Sequence, residues 1–203
     1  MRFRILVAAS LLLVPCVAGA ANHGPPVDGT GNTAPVAIWQ VATVDPPATV
    51  VTVGDDAPSF SYLGADGGWH PFTRLASGQS VLLVFGATDA ELAALEQSRS
   101  AFLDLGLVPI AVIDQRVGSA LAMKRRCCPS CAVICDPMCA IGELYNTLDR
   151  NGMRHAPAYF ILDDAHVVRA LSHGTLPSMT RLLVTSAGAL GRALPAAIST
   201  IDG

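Results

Sequence analysis

The stretch "VLLVFGATDAELAALEQSRSAFLDLGLVPIAVID", residues 81–114, decides the architecture. It opens on an uninterrupted apolar run, residues 81–87, of the kind that forms a strand buried on both faces. From Asp89 the apolar residues recur at helical spacing, and Gly106 supplies the stop. A second apolar run, residues 107–114, reads as another buried strand. Strand, helix and strand in so short a span predict one crossover unit of a partly parallel sheet.

The pattern continues downstream. "VGSALAMKRR" (117–126) reads as a helix, "CAVIC" (131–135) as a short strand and "DPMCAIGELYNTL" (136–148) as a further helix. "AYFILD" and "HVVRALSH" make two strands across the turn at Asp163-Asp164, and "LPSMTRLLVTSAGALGRAL" closes the chain with a helix. The expected class is α/β: a central mixed sheet flanked by helices on both faces. His70, His166 and His173 fall in or beside turns and strand ends and are expected in solvent. Trp39 and Trp69 are expected as packing residues.

Upstream the composition changes. Residues 1–20 have a positive start (Arg2, Arg4), the apolar run "ILVAASLLLV" and a small-residue "AGA" end, which together read as a secretory signal peptide. The run is too short for a stable membrane span. Residues 21–52 are rich in Gly, Pro, Thr and Ala and read as an extended arm or linker, with "VAIWQVATV" able to add an edge strand. The domain proper is expected over residues 53–190, with a tail at 191–203. The formal net charge is −3, and the only basic cluster is Lys124-Arg125-Arg126, so a nucleic-acid partner is not expected. That triplet suits the positive last turn of a helix.

Five of the six cysteines, Cys127, Cys128, Cys131, Cys135 and Cys139, lie in "CCPSCAVICDPMC". Cys16 would leave with the signal peptide. In a periplasmic or secreted protein, oxidised pairs are the default, and an odd number leaves one thiol free, shared or metal-bound.

Several segments, in order, resemble the thioredoxin fold and its peroxiredoxin-like branch (alkyl hydroperoxide reductase, thiol-specific antioxidant, redoxin). They are "VGDDAPSFSYLGADGGWHPFTRLASGQSVLLVFGAT", "VICDPMCAIGELYN" and "RHAPAYFILDDAHVVRALSHG". The resemblance runs from about Val53 to Leu190. It implies a thioredoxin-like fold. It also implies a cis peptide at Ala156-Pro157, with Pro157 beside the redox site and its neighbouring backbone available to a substrate chain.

That branch places its reactive cysteine at the start of the helix after the first core strand, where free N–H groups and the helix dipole stabilise a thiolate. Here the junction reads "FGATDAELAALE". Laid on Phe-x4-Cys-x-x-Cys, Ala90 and Ala93 take the cysteine positions; laid on Thr-x-x-Cys, Glu91 does. Thr88 and Glu91 instead have capping-box spacing. Alanine and carboxylate cannot attack a peroxide or a disulfide, so the usual thiol is absent.

Three uses of the displaced cluster stay open. In the first, Cys128-Pro-Ser-Cys131 is a reversible pair, with Cys139 or Cys127 as attacking or resolving thiol. Asp136 as N-cap and Pro137 as first helical residue would put Cys139 in a first turn, with a lowered pKa. The partners would be protein or small-molecule thiols, disulfides or peroxides, without a cofactor. In the second, two disulfides staple the loop of a catalytically silent binding domain. In the third, the thiols hold Cu(I). Copper chaperones of this fold use Cys-x3-Cys and a distant histidine, a resemblance that gives Cys131, Cys135, Cys139 and His155 as ligands.

Overall fold

The computed structural model describes residues 36–38, 50–63, 68–75 and 78–195. The signal-peptide expectation and most of the expected arm lie outside them, as does Trp39. A six-stranded mixed sheet forms the centre. Its strands are β1 (Val36–Ile38), β4 (Ser80–Phe85), β5 (Leu107–Ile113), β6 (Ala132–Cys135), β7 (Ala158–Leu162) and β8 (Val168–His173), in the order β1-β6-β5-β4-β7-β8. β1, β6, β5 and β4 run parallel, while β7 and β8 are antiparallel to their neighbours. β2 (Ser61–Leu63) and β3 (Trp69–Pro71) make a separate antiparallel hairpin that leads into the single turn α1 (Phe72–Leu75).

Every residue of β4 is buried, as its uninterrupted apolar run requires. Its side chains alternate between two cores. Leu82 and Val84 join Leu107, Ala111, Val133 and Tyr159 under α2 (Asp89–Gln97), α3 (Arg99–Asp104), α4 (Val117–Cys127) and α6 (Met179–Leu190). Val81, Leu83 and Phe85 join Phe60, Phe72, Tyr145 and Phe160 on the other face, with α5 (Ala140–Leu144). That face is an aromatic cluster, with Phe85, Tyr145 and Phe160 packed at centroid distances of 5.0–5.8 Å. Among the described residues no helix is long and apolar enough to cross a membrane.

Three expectations are corrected here. The helix expected from Asp89 to Gly106 is two, broken at Ser98, whose backbone (φ −92°, ψ 1°) leaves the helical region. Trp69 is 51% exposed instead of packed, because the β2–β3 hairpin stands outside the main sheet. The rings of His70 and His166, expected in solvent, are half-buried beside Tyr62 and Phe72, whereas His173 is exposed as expected, its ring edge-on to Phe160. The Asp163-Asp164 turn holds as expected: Asp163 Oδ1 accepts from the backbone N–H groups of Ala165 and Val167. Beyond the expected boundary at residue 190, Arg192 donates to Leu105 O (2.5 Å) and Ser80 Oγ (2.9 Å), tying the end of α6 to the α3–β5 turn and the start of β4.

Candidate functional site

The head of α2 follows the first core strand, where the sequence places no thiol. Thr88 is the N-cap and its hydroxyl accepts from Glu91 N (3.3 Å), while Glu91 Oε2 accepts from Thr88 N (2.7 Å). The capping box is complete. The N–H groups of Thr88 and Glu91 at this helix start are taken by the chain's own oxygens.

The cysteines gather one helix away. α4 ends at Cys127, and Cys128 leaves the helix with its N–H still bonded to Lys124 O (2.9 Å). The loop then runs through Pro129 and Ser130 to Cys131 and enters β6. All five thiols are buried and free in the structure. Cys127, Cys128, Cys131 and Cys135 share the core between the sheet and α2, α4 and α6.

α2 and α4 hold this loop from two sides. Glu96 on α2 accepts from Ser130 N (3.1 Å) and Cys131 N (3.1 Å), and the Cys131 thiol bonds to the same carboxylate. Lys124 on α4 reaches into the loop, its Nζ donating to Pro129 O (2.9 Å) and Cys131 O (2.5 Å). A second link between the helices is the ion pair of Arg126 with Asp89, in the first turn of α2. The cysteine loop is therefore anchored on the helix whose head lacks the thiol.

Burial sets the chemistry of the sulfurs. It pushes the Cys128 thiol up to about 11, against the pull of Lys124. Cys131 is also raised, by burial first and then by Glu96. Cys135 is pushed up to about 12 by burial and Asp136. At neutral pH these groups are protonated thiols and not resting nucleophiles.

Cys139 departs from its expectation. α5 begins only at Ala140, and Cys139 is its N-cap in the left-handed region (φ 57°), with Sγ directed to Met153 O (3.5 Å). The helix start is served by Asp136, whose Oδ2 accepts from Gly142 N (2.9 Å). Burial, Asp136, Asp114 and Asp149 push the Cys139 thiol up to about 11, the opposite of the expected lowering.

The expected copper set is not assembled. Cys131 and Cys135 bracket a four-residue strand, so their Cα atoms lie roughly 13 Å apart. They also sit on the α2/α4 face, while His155 is engaged on the other, with Nε2 on Asp136 Oδ2 (2.9 Å) and its ring 5.4 Å from Phe85. Among the described residues no three His, Cys, Asp or Glu side chains converge as a metal site. The same separation exceeds disulfide reach, so Cys131 and Cys135 do not bridge each other.

The Ala156-Pro157 peptide is trans, not cis as expected. Trans is the intrinsically favoured isomer of an X-Pro bond. The neighbouring backbone is also occupied: Ala156 N donates to Thr147 O (2.7 Å) and Pro157 O accepts from Gly174 N (2.8 Å). A substrate chain finds no free pairing group at these two atoms.

Glu96, Lys124 and Asp136 were not singled out as site residues from the sequence. Glu96 is 35 residues from Cys131 in the chain and only the fold brings it there, while Lys124 and Asp136 lie close to the cysteines in sequence and the fold reveals their contacts.

The model of the AhpC/TSA family matches residues 53–171. Similar solved structures include the peroxidoxin BcpB of Mycobacterium tuberculosis, with TM-score 0.58 and 13% identity over 68% of this chain and 95% of that one. The reduced 2-Cys peroxiredoxin of Plasmodium vivax gives TM-score 0.54 and 19% identity over 71% and 87%. Enterococcus faecalis AhpC gives TM-score 0.54 and 13% identity over 70% and 98%. At these identities the likeness is one of fold. No curated protein matches the chain in sequence.

Proposed function

Because the chain belongs to the AhpC/TSA family and carries no cysteine at the head of α2, we propose that it is a thiol redox protein working through Cys128 and Cys131. One observation carries the reading: a Cys-x-x-Cys loop is held between Glu96 and Lys124, on the helix where the family places its thiol. The partners are peroxides, or thiols and disulfides of small molecules or proteins. With a peroxide, the two thiols give up their protons and two electrons, the Cys128–Cys131 bond forms, and the peroxide leaves as an alcohol and water. A dithiol restores the pair by exchange.

The raised thiol pKa values make attack slow near neutrality and faster as pH rises. They also withhold from the dithiol the stabilisation that ionisation gives, so the disulfide is favoured. This poise fits an oxidising compartment, and export by residues 1–20 belongs to the same proposal. Cys127, whose thiol interacts with Arg126, is the neighbour placed to resolve a mixed disulfide; Cys139 lies at the far end of β6.

The test is peptide mapping of protein alkylated before and after one equivalent of hydrogen peroxide, with turnover measured using a dithiol reductant. A Cys128–Cys131 disulfide should form and reverse, and Cys131→Ser should abolish turnover. Wild-type turnover in that variant overturns the assignment.

The closed capping box at Thr88 and Glu91 favours a second reading, a peroxiredoxin-fold binding domain without turnover. It predicts no turnover at all, with the pair either free or permanently bridged.

A further inference from the structure

Lys124 stands in the triplet Lys124-Arg125-Arg126, but only its two neighbours are exposed. Lys124 itself is 7% exposed. Taking an ammonium out of water is costly unless charge and hydrogen bonds replace the solvent. The hydrogen bonds come from two neutral carbonyls, Pro129 O and Cys131 O, both within the Cys128–Cys131 loop. Charge compensation is incomplete. Glu96 from α2 opposes the ammonium, but Arg99 from α3 adds to it, and Asp89 is already paired with Arg126. Lys124, Glu96 and Arg99 sum to one positive charge, with Asp89 also reaching Cys128 from its pair with Arg126, and burial lowers the Lys124 pKa.

We propose that Lys124 is the internal counter-charge of the Cys128–Cys131 centre, a positioning residue that stabilises the thiolate released when the disulfide opens. The inference rests on the redox reading above. An external thiolate attacks one sulfur, a mixed disulfide forms, and the S–S bond breaks. Its electron pair goes to the other sulfur, which becomes a thiolate beside the ammonium. A second thiol of the reductant then displaces the protein sulfur, and the thiolates take up the protons the reductant has given up. The excess positive charge is neutralised at the step where negative charge appears. Glu96 acts in the opposite sense: its carboxylate raises both thiols while its oxygens hold the loop's N–H groups.

The test measures the rate at which dithiothreitol opens the Cys128–Cys131 disulfide, and the pH profile of iodoacetamide alkylation, in wild type, Lys124→Met, Lys124→Arg and Glu96→Gln. Methionine keeps length without charge. Lys124→Met should open roughly threefold to tenfold more slowly, because a thiolate of higher pKa is a poorer leaving group. Its alkylation profile should move up by about one pH unit. Lys124→Arg should stay near wild type, and Glu96→Gln should move both readouts the other way. A folded Lys124→Met with wild-type rate and profile overturns the inference. If Lys124→Met does not fold, Glu96→Gln decides: unchanged readouts overturn the electrostatic role. A wild-type protein that forms no Cys128–Cys131 disulfide in any redox buffer overturns the redox reading, and this inference with it.

Discussion

Asp136 and His155 hold each other out of water, with side chains 1% and 0% exposed, and their contact at 2.9 Å joins the end of β6 to the entry of β7. The pair depends on the absence of a side chain at two glycines. At Gly142 an added Cβ would stand 2.6 Å from His155 Cδ2 and 2.7 Å from Leu148 Cδ2. Both are side-chain atoms and can give a little. At Gly86 the backbone is left-handed (φ +60°), and a Cβ would meet Ala156 C and His155 O at 2.7 Å. Those are backbone atoms of the segment that positions the histidine, and they cannot move without displacing β7. Gly142→Ala should therefore cost about 1–3 kcal/mol, the range for overpacking a filled site. Gly86→Ala should cost more, since it adds conformational strain to the clash. Urea unfolding of the two variants checks the order. A Gly86→Ala protein as stable as Gly142→Ala would show that the Gly86 turn relaxes, contrary to this account.

At the scale of elements, the capping box of α2 stabilises a helix whose head carries no thiol. Thr88→Ala should lower the unfolding free energy by about 1 kcal/mol. If the chemistry lies in the loop after α4, the same variant should leave dithiol-dependent turnover unchanged; a loss of turnover without a loss of stability would point back to α2. The capping box was legible because it is written in four consecutive residues. So were β4 and β5, whose apolar runs admit no other placement, and the β7–β8 hairpin with its Asp163 turn. What escaped the sequence was set by how the chain closes on itself. Lys124 reads as one cation of a surface triplet until β6 and the loop close over it. His155 reads as a candidate copper ligand, because its true partner Asp136 lies 19 residues away. Cys139 reads as a first-turn residue because local rules cannot foresee that Asp136 would reach past it to Gly142. The trans Ala156-Pro157 bond was missed for a different reason: the cis form came from family resemblance, not from these residues.

The whole molecule carries an unequal set of buried acids. Cys128, Cys131, Cys135 and Cys139 are all raised, and so is the Tyr145 phenol in the aromatic core, each with burial as the first cause. In the unfolded chain thiols lose their protons near pH 8.5 and a phenol near about 10. The folded protein keeps the Cys128, Cys135 and Cys139 protons until about 11 or 12. Between those limits the unfolded state binds fewer protons, so stability falls as pH rises. Lys124 opposes this, because its folded pKa is lowered and the unfolded chain holds that proton longer, but it is one group against five. On the acid side Asp55, Asp149 and Asp163 are lowered, so the stability they add is present above the ordinary carboxylate pKa and lost below it; at exposed or near-exposed positions that contribution is small. The reduced protein should thus hold its stability through neutral pH and lose it progressively above about pH 9. Closing the Cys128–Cys131 disulfide removes two of the titrating thiols. The oxidised protein should fall less steeply, by up to about 1.4 kcal/mol per pH unit for each thiol removed. Urea unfolding of both forms across the alkaline range measures the two slopes. Equal slopes would mean that these sulfurs do not ionise on unfolding as their burial demands.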